Sequence, residues 1–240
     1  KEDFFNLFLQ ELSGELRRKT ELLKDFSEVE ALLSPGFCDL LLLANSGLST
    51  AAVFKKALNC GILTLSSNKE SIILGKNLFF PAGEPIKNFI PLDSEHFAIQ
   101  ELLKLTSSSE VDKIILTASG GPLFNKNIEE INNIKPEQLL NHPLWKMGKK
   151  ITIDSATMLN KGLEILEAAA IFGLPTEKVE AVIHPEGIIH GLINISAGIS
   201  FAFLSNPDMK ITHSNALNCI DKGKFSPVKL TEIKNLSFSE

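Results

Sequence analysis

Three side chains set the chemistry to look for: Asn160, Lys161 and Glu164. They lie in ITIDSATMLNKGLEILEAAAIFG, residues 151–173, which reads as one helix with Asp154 or Ser155 capping its start and Gly173 at the left-handed turn that ends it. Residues three and four apart share a helix face, so Glu164 has the Asn160 amide and the Lys161 ammonium beside it. Such a face is costly to bury unless something charged meets it. Ser155, placed near a helix N-terminus, adds a hydroxyl where an anion is already favoured. The group fits a pocket for a metal ion and a phosphate. Taken by itself it also fits a solvated face with an ordinary Lys/Glu pair, so other segments have to decide.

A second source of carboxylates is PLDSEH, residues 91–96. In an extended stretch Asp93 and Glu95 point the same way, with Ser94 between them, and two convergent carboxylates make a hard oxygen site of the kind Mg2+ or Mn2+ prefers. The competing reading is a helix start, with Asp93 as cap and Glu95 in the first turn of a helix over 97–105. Lys69 and Glu70, in SSNKES, follow an apolar strand and reach the mouth of its sheet, or form a surface ion pair. Ser119, Gly120 and Gly121 follow another apolar strand, where glycines let backbone N–H groups approach an anion. The single tryptophan, Trp145, stands in HPLWKMG between His142 and Met147, a loop composition that suits a lid over a small-molecule site.

The elements that must position these groups are legible as alternation. Residues 1–33 carry an amphipathic helical pattern broken near Ser13 and Gly14. Apolar runs at 40–43 and 62–65, separated by a polar loop and a helix, predict parallel strands covered on both faces, with ligands at their carboxyl ends. Further strands are expected at 89–92 and 113–117, and a second sheet around IHPEGIIHG and ISFAFLS. With 240 residues and 44% hydrophobic content the chain has enough apolar material for one large core or two modest ones. A net charge of −5 without a basic stripe argues against a nucleic-acid surface. Cys38, Cys60 and Cys219 are isolated and odd in number, which suits buried thiols in a reducing compartment. No apolar run has spanning length and KEDFF is unlike a signal peptide, so a soluble cytoplasmic or organelle-lumen protein is expected. The sequence begins with Lys1, as a trimmed or partial chain would.

NKES, PLDSEH, LTASGGP, HPLWKMGKKITIDSATMLNKGLE and IHPEGIIHG, in this order and at these spacings, resemble the 1-deoxy-D-xylulose 5-phosphate reductoisomerase family over roughly residues 39–235. The resemblance implies an enzyme of the methylerythritol phosphate route to isoprenoids. It would bind NADPH and Mg2+ or Mn2+, rearrange the ketose phosphate, and reduce the product to 2-C-methyl-D-erythritol 4-phosphate. It implies Asp93, Glu95 and Glu164 as metal ligands and Lys69, Glu95 and Glu164 as the catalytic set. Ser94, Ser119, His142, Ser155, Asn160 and Lys161 join Lys69, Glu95 and Glu164 around the substrate, several of them at its phosphate. Asn68, Glu70, Gly148 and Met147 would touch the cofactor, and His142, Trp145 and Met147 would form a flap. His184 and His190 are read as structural, and His96 and His213 receive no role.

The fold implied is α/β: a Rossmann-like parallel sheet, then an α+β catalytic domain with its own sheet. Boundaries are expected at 1–92 for the nucleotide-binding remainder, 93–218 for the metal and substrate domain, and 219–240 for a linker. The family is a homodimer, with strands over 188–204 at the interface. Two departures stand beside the matches. No GxGxxG-like run is present, and the sequence stops before the family's closing helical domain. A shortened homologue that binds metal or phosphosugar without turnover, or serves as a scaffold, is the alternative, and another metal-dependent phosphosugar enzyme of similar layout is a third.

Overall fold

The computed structural model describes residues 25–80, 88–140, 142–145, 148–217, 225–233 and 235–239, together with Gly14 and Leu23. Most of the helix expected over residues 1–33 falls outside them, as do Met147, Cys219 and part of the expected linker. The first described element is α1 (Phe26–Leu32), begun by Asp25, whose carboxylate accepts from the backbone N–H of Ser27 at 2.9 Å and of Glu28 at 3.1 Å.

The short apolar runs become strands because each finds a neighbour in the sheet and an apolar layer against it. β1 (Leu40–Leu43) leads through α2 (Ala51–Asn59) to β2 (Leu63–Ser66), and the two strands pair in parallel with Leu40 opposite Leu63. Two short helices, α3 (Lys69–Leu74) and α4 (Lys76–Phe79), precede β3 (Phe89–Pro91), which pairs in parallel with β2. Val53, Phe54 and Ala57 of α2 pack into a cluster with Phe79 and Phe89. The Phe54 ring lies 4.5 Å from that of Phe79 and 5.6 Å from that of Phe89. Full burial of one such ring contributes on the order of 2–3 kcal/mol.

The second sheet is mixed. After α5 (Ser94–Leu103) comes β4 (Val111–Ala118), then the small helices α6 (Ile128–Asn132) and α7 (Pro136–Leu139), then α8 (Lys149–Ala156) and α9 (Leu159–Ile171). β5 (Val179–Ile183), β6 (Ile189–Ile195), β7 (Ile199–Leu204) and α10 (Met209–Ala216) follow. The strand order is β5-β4-β6-β7, with β5 parallel to β4 and the other pairs antiparallel. The second cluster joins Ile99 and Leu102 of α5, Ile114 and Leu116 of β4, Ile193 of β6, and Ala168 and Ala169 of α9. Ala170 and Ile171 belong to the first cluster instead, so α9 is shared by both cores. Small alanines at its end let it fit between them.

Two expectations need correction. The helix read as continuous over 151–173 is two helices, broken at Thr157 and Met158, the latter at φ 60°. The Thr157 hydroxyl donates to the carbonyls of Ile153 and Asp154, each at 3.2 Å, and the Met158 N–H, which a continuing helix would give to Asp154, turns to the Ser155 carbonyl at 3.1 Å. Asp154 and Ser155 therefore lie inside α8, whose cap position is Gly148, while Gly173 does take the left-handed conformation at φ 65°. The strand read through His184 and His190 is likewise interrupted, since His184 sits in the turn after β5 and His190 is on β6. Within the expected linker, Ser239 pairs with Ile183 through two backbone hydrogen bonds of 2.8 and 3.0 Å, and the Phe238 ring stacks on His184 at 4.9 Å. Among the described residues no helix is long and apolar enough to cross a membrane.

Gly121 shows what joins β4 to α8. Its φ is +62°, and a Cβ there would stand 3.1 Å from the Ser155 carbonyl oxygen and 3.2 Å from Ala156 Cα. The glycine in this turn thus answers to close packing against α8. Gly121→Ala is expected to destabilise the protein by about 1–3 kcal/mol through strain and backbone crowding, read by urea unfolding. An unchanged midpoint would contradict this packing.

Candidate metal and phosphate site

Asp93 is the N-cap of α5, accepting from Glu95 N at 3.2 Å, and Glu95 lies in the first turn. The extended geometry expected from the two-residue spacing is therefore incorrect: the helix starts at Ser94, three residues earlier than expected. The local arrangement is an ordinary helix start. It nonetheless faces Glu164 of α9, and oxygens of Asp93, Glu95 and Glu164 all lie within 4.8 Å of one another. Three carboxylates this close repel unless cations stand among them.

Two ammonium groups do. Lys69, at the start of α3, places Nζ 3.0 Å from Asp93 Oδ2, 3.1 Å from Glu164 Oε1 and 2.8 Å from Asn160 Oδ1. Lys161, on α9, places Nζ 2.7 Å from Glu95 Oε1 and 2.6 Å from the Thr117 carbonyl of β4, and also contacts Glu164 Oε2. Asn160 Nδ2 donates to Glu164 Oε1. Lys161 and Glu164 are thus buried at 5% and 1% exposure, which rules out the solvated-face reading of the NKGLE helix. Burial lowers the affinity of both lysines for their protons, but the acids outweigh it, and both ammoniums are held well above their ordinary range. Asp93 is resisted by burial yet held well below the usual carboxylate range by Lys69 and His96. Burial, with Glu164 and Asp93 nearby, pushes Glu95 up to about 7 against the pull of Lys161.

The triad opens on a cavity of about 300 Å³. Of the residues expected at the substrate, Lys69, Ser94, Glu95, Ser119, Ser155, Asn160, Lys161 and Glu164 line it, and so does Trp145. His142 stands one layer back, with Nε2 2.9 Å from Ser119 Oγ. Its Nδ1 accepts from the backbone N–H of Leu144 at 3.1 Å and Trp145 at 3.0 Å, so the proton is on Nε2 and the ring donates to Ser119. Burial lowers its pKa further, keeping this tautomer neutral. The Trp145 ring rests 6.3 Å from that of His190, whose Nε2 is 2.9 Å from Ser205 Oγ. Met209 and His213 of α10 also line the cavity.

Of the residues expected at the cofactor, Asn68, Glu70 and Gly148 are not among those lining the cavity, and Met147 lies outside the described residues. Asn68 is fully buried, caps α3 by accepting from Ser71 N at 3.0 Å, and donates to the Gly47 carbonyl at 2.8 Å. Glu70 lies 3.3 Å from Lys150 Nζ, which also pairs with Asp154 at 2.9 Å. Gly148 opens α8 with no atom within 4 Å of where a Cβ would project.

Two functional candidates escaped the sequence reading. His96 lies between Asp93 and α9, and Glu167, one turn beyond Glu164, approaches the same ring. Burial pulls the His96 pKa down, but Glu167 and Asp93 win and raise it to about 9, while burial raises Glu167 to about 7. The acid spacing of Glu164 and Glu167 was the available signal; nothing local marked His96. These shifts fix a sign for the metal-free protein. His96 in the folded state binds its proton up to about pH 9, whereas the unfolded chain releases it near 6.5, so the stabilisation is complete below about 6.5 and lost as pH rises through 9. Glu95 and Glu167, raised to about 7, act in the same direction between about 4.5 and 7. Urea unfolding in EDTA is expected to show a lower stability near pH 9 than near pH 6. Equal stabilities would contradict a charged His96.

A family model described as the 1-deoxy-D-xylulose 5-phosphate reductoisomerase C-terminal domain matches residues 89–172. A protein of that name from Sulfurihydrogenibium sp. (strain YO3AOP1) is 48% identical over 176 residues, covering 72% of this chain and 46% of its own length. The one from Wolbachia pipientis subsp. Culex pipiens (strain wPip) is 43% identical over 205 residues, covering 84% of this chain and 52% of its own. A solved DOX-P reductoisomerase in complex with NADPH, fosmidomycin and magnesium superposes with a TM-score of 0.77 at 33% identity, over 89% of this chain and 56% of that one. The chain thus spans about half the length of the curated relatives it matches. With the sequence likeness running through β3, α5, β4, α8 and α9, the elements that carry the carboxylates, this chain belongs to the 1-deoxy-D-xylulose 5-phosphate reductoisomerase family.

Proposed function

We propose that this chain supplies the metal- and substrate-binding part of an enzyme that converts 1-deoxy-D-xylulose 5-phosphate to 2-C-methyl-D-erythritol 4-phosphate with NADPH and Mg2+ or Mn2+. The observation that carries the proposal is the meeting of Asp93, Glu95 and Glu164 at one wall of a cavity. They fit a divalent cation: the donors are hard carboxylate oxygens from three side chains, all within 4.8 Å of one another. Four acids, counting Glu167, face two ammonium groups and one imidazole, so a divalent cation and an anionic phosphate together suit the local charge. Held there, the cation would polarise the ketone and stabilise negative charge as the carbon skeleton rearranges. NADPH would supply the hydride; the carboxyl ends of β1 and β2, next to Lys69, are where a parallel sheet receives such a ligand.

The chain's own residues hold and shield the substrate. Ser94, Ser119 and Ser155 present hydroxyls to the cavity, and His142 orients the Ser119 hydroxyl by donating to it. Lys69 and Lys161, already charged and desolvated, are the ammonium groups on the cavity wall that would meet an anionic substrate. Glu70, Gly148 and Met147 are assigned to the cofactor, with Asn68 shaping the adjoining loop through Gly47. Trp145, on a loop against His190, is assigned with His142 and Met147 to a flap that excludes water. We assign residues 1–92, 93–218 and 219–240 to a nucleotide-binding part, a metal and substrate domain and a linker. Homodimerisation is assigned to the β6–β7 region, supported by Ile199 and Leu204 exposed on the edge strand. A cytoplasmic or plastid-type location goes with this activity.

The test is NADPH oxidation with 1-deoxy-D-xylulose 5-phosphate, followed with Mn2+ and with EDTA, on this chain and on the full-length gene product. Metal-dependent turnover by the full-length product is the expected result. Binding of metal and phosphosugar without turnover in that product would leave a binding role in place of an enzyme.

A further inference from the structure

Next to the triad lies a pair that none of the steps above uses. His96 and Glu167 are buried at 0% and 1% exposure. His96 Nε2 is 3.0 Å from the Glu164 carbonyl oxygen, and Nδ1 is 3.1 Å from Asp93 Oδ1 and 3.7 Å from Glu167 Oε2. Nε2 meets a backbone carbonyl, which only accepts, so it carries hydrogen, and Nδ1 faces two acids, Asp93 and Glu167, which favour the charged form of the ring. Its Nδ1 contacts are ionic distances without hydrogen-bond alignment, and Nδ1 and Glu167 Oε2 have no other partner. Through this ring, Asp93 at the cap of α5 is tied to the backbone of α9 at Glu164, joining two triad members that come from different elements.

Glu167 completes the arrangement. It sits one turn beyond Glu164 on α9 and gives the His96 cation a second counter-charge. Without it the ring leans on Asp93 alone, and the carboxylate turns toward the imidazole and away from Glu95 and Glu164. Resting on the triad reading above, we propose that Glu167 is a positioning residue: acting through His96, it holds Asp93 in the orientation in which the triad grips a divalent cation. A partner of a ligand commonly changes metal affinity by roughly 10–100-fold when replaced.

The test is a Mn2+ titration by calorimetry on the metal-free chain, with folding checked by circular dichroism. Glu167→Gln is expected to weaken Mn2+ by roughly 10–100-fold, and Glu167→Asp, which keeps the charge, to recover part of the loss. His96→Gln should weaken it by a similar factor, and the double variant should be no weaker than either single one, because one acts through the other. Unchanged affinity in Glu167→Gln overturns the proposal. So do additive losses in the double variant, which would mean that Glu167 acts by its field alone. If Glu167→Gln fails to fold, His96→Gln decides, and unchanged affinity there overturns it. Absence of Mn2+ binding in the unaltered chain would instead sink the triad reading itself.

Discussion

Glu164→Gln is expected to reduce turnover of the full-length product by roughly 1,000-fold or more, because a Lewis acid contributes several kcal/mol and each ~1.4 kcal/mol is tenfold in rate. The fold should survive. Glutamine matches glutamate in shape, and the two ammoniums keep an acid each, Lys69 with Asp93 and Lys161 with Glu95. The loss should therefore appear in Mn2+ affinity and in turnover with little change in the unfolding midpoint of the metal-free protein. Wild-type turnover in this variant would remove Glu164 from the metal.

Lys161→Met should have the opposite signature, damaging stability first. The ammonium is buried against Glu95, Glu164 and the Thr117 carbonyl; Glu95 loses its ammonium partner, the carbonyl loses its donor and Glu164 is left with Lys69 and Asn160, while methionine fills the space. Removing one partner from a buried ionic group costs about 3–5 kcal/mol. Mn2+ should restore part of it, since a divalent cation neutralises the same acids; at 100 times its dissociation constant a ligand adds about 2.7 kcal/mol. Urea unfolding with and without Mn2+ checks both statements. A variant as stable as the original without metal would show that Lys161 is not the counter-ion of the triad.

Much of this arrangement was legible in the sequence because it rests on local rules. The apolar runs mark β1 and β2 as parallel strands, although only β2 is covered as expected and Leu42 of β1 is exposed, and the shared helix face of Asn160, Lys161 and Glu164 follows from a 3.6-residue period. The meeting of Glu164 with Asp93 and Glu95 followed only from the family resemblance, since no local pattern links α9 to α5. What stayed hidden was decided by competition or by tertiary contact. The break at Thr157 and Met158 depends on where one hydroxyl and one backbone N–H turn, which looks the same in sequence as a helix running on. Asp93 and Glu95 were expected to converge because of an extended backbone, and they converge from a helix start. His96 went unassigned because its partners, Asp93, Glu167 and the Glu164 carbonyl, are brought together only when α5 packs beside α9.

The most direct measurement is Mn2+ uptake by the metal-free 240-residue chain, compared among the unaltered protein, Asp93→Asn, Glu95→Gln, Glu164→Gln and the exposed control Glu180→Gln. A single ion bound per chain, weakened by roughly tenfold or more in each of the three triad variants and unaffected in the control, is the result expected of a shared carboxylate site. Equal uptake in the unaltered chain and all three triad variants would contradict it.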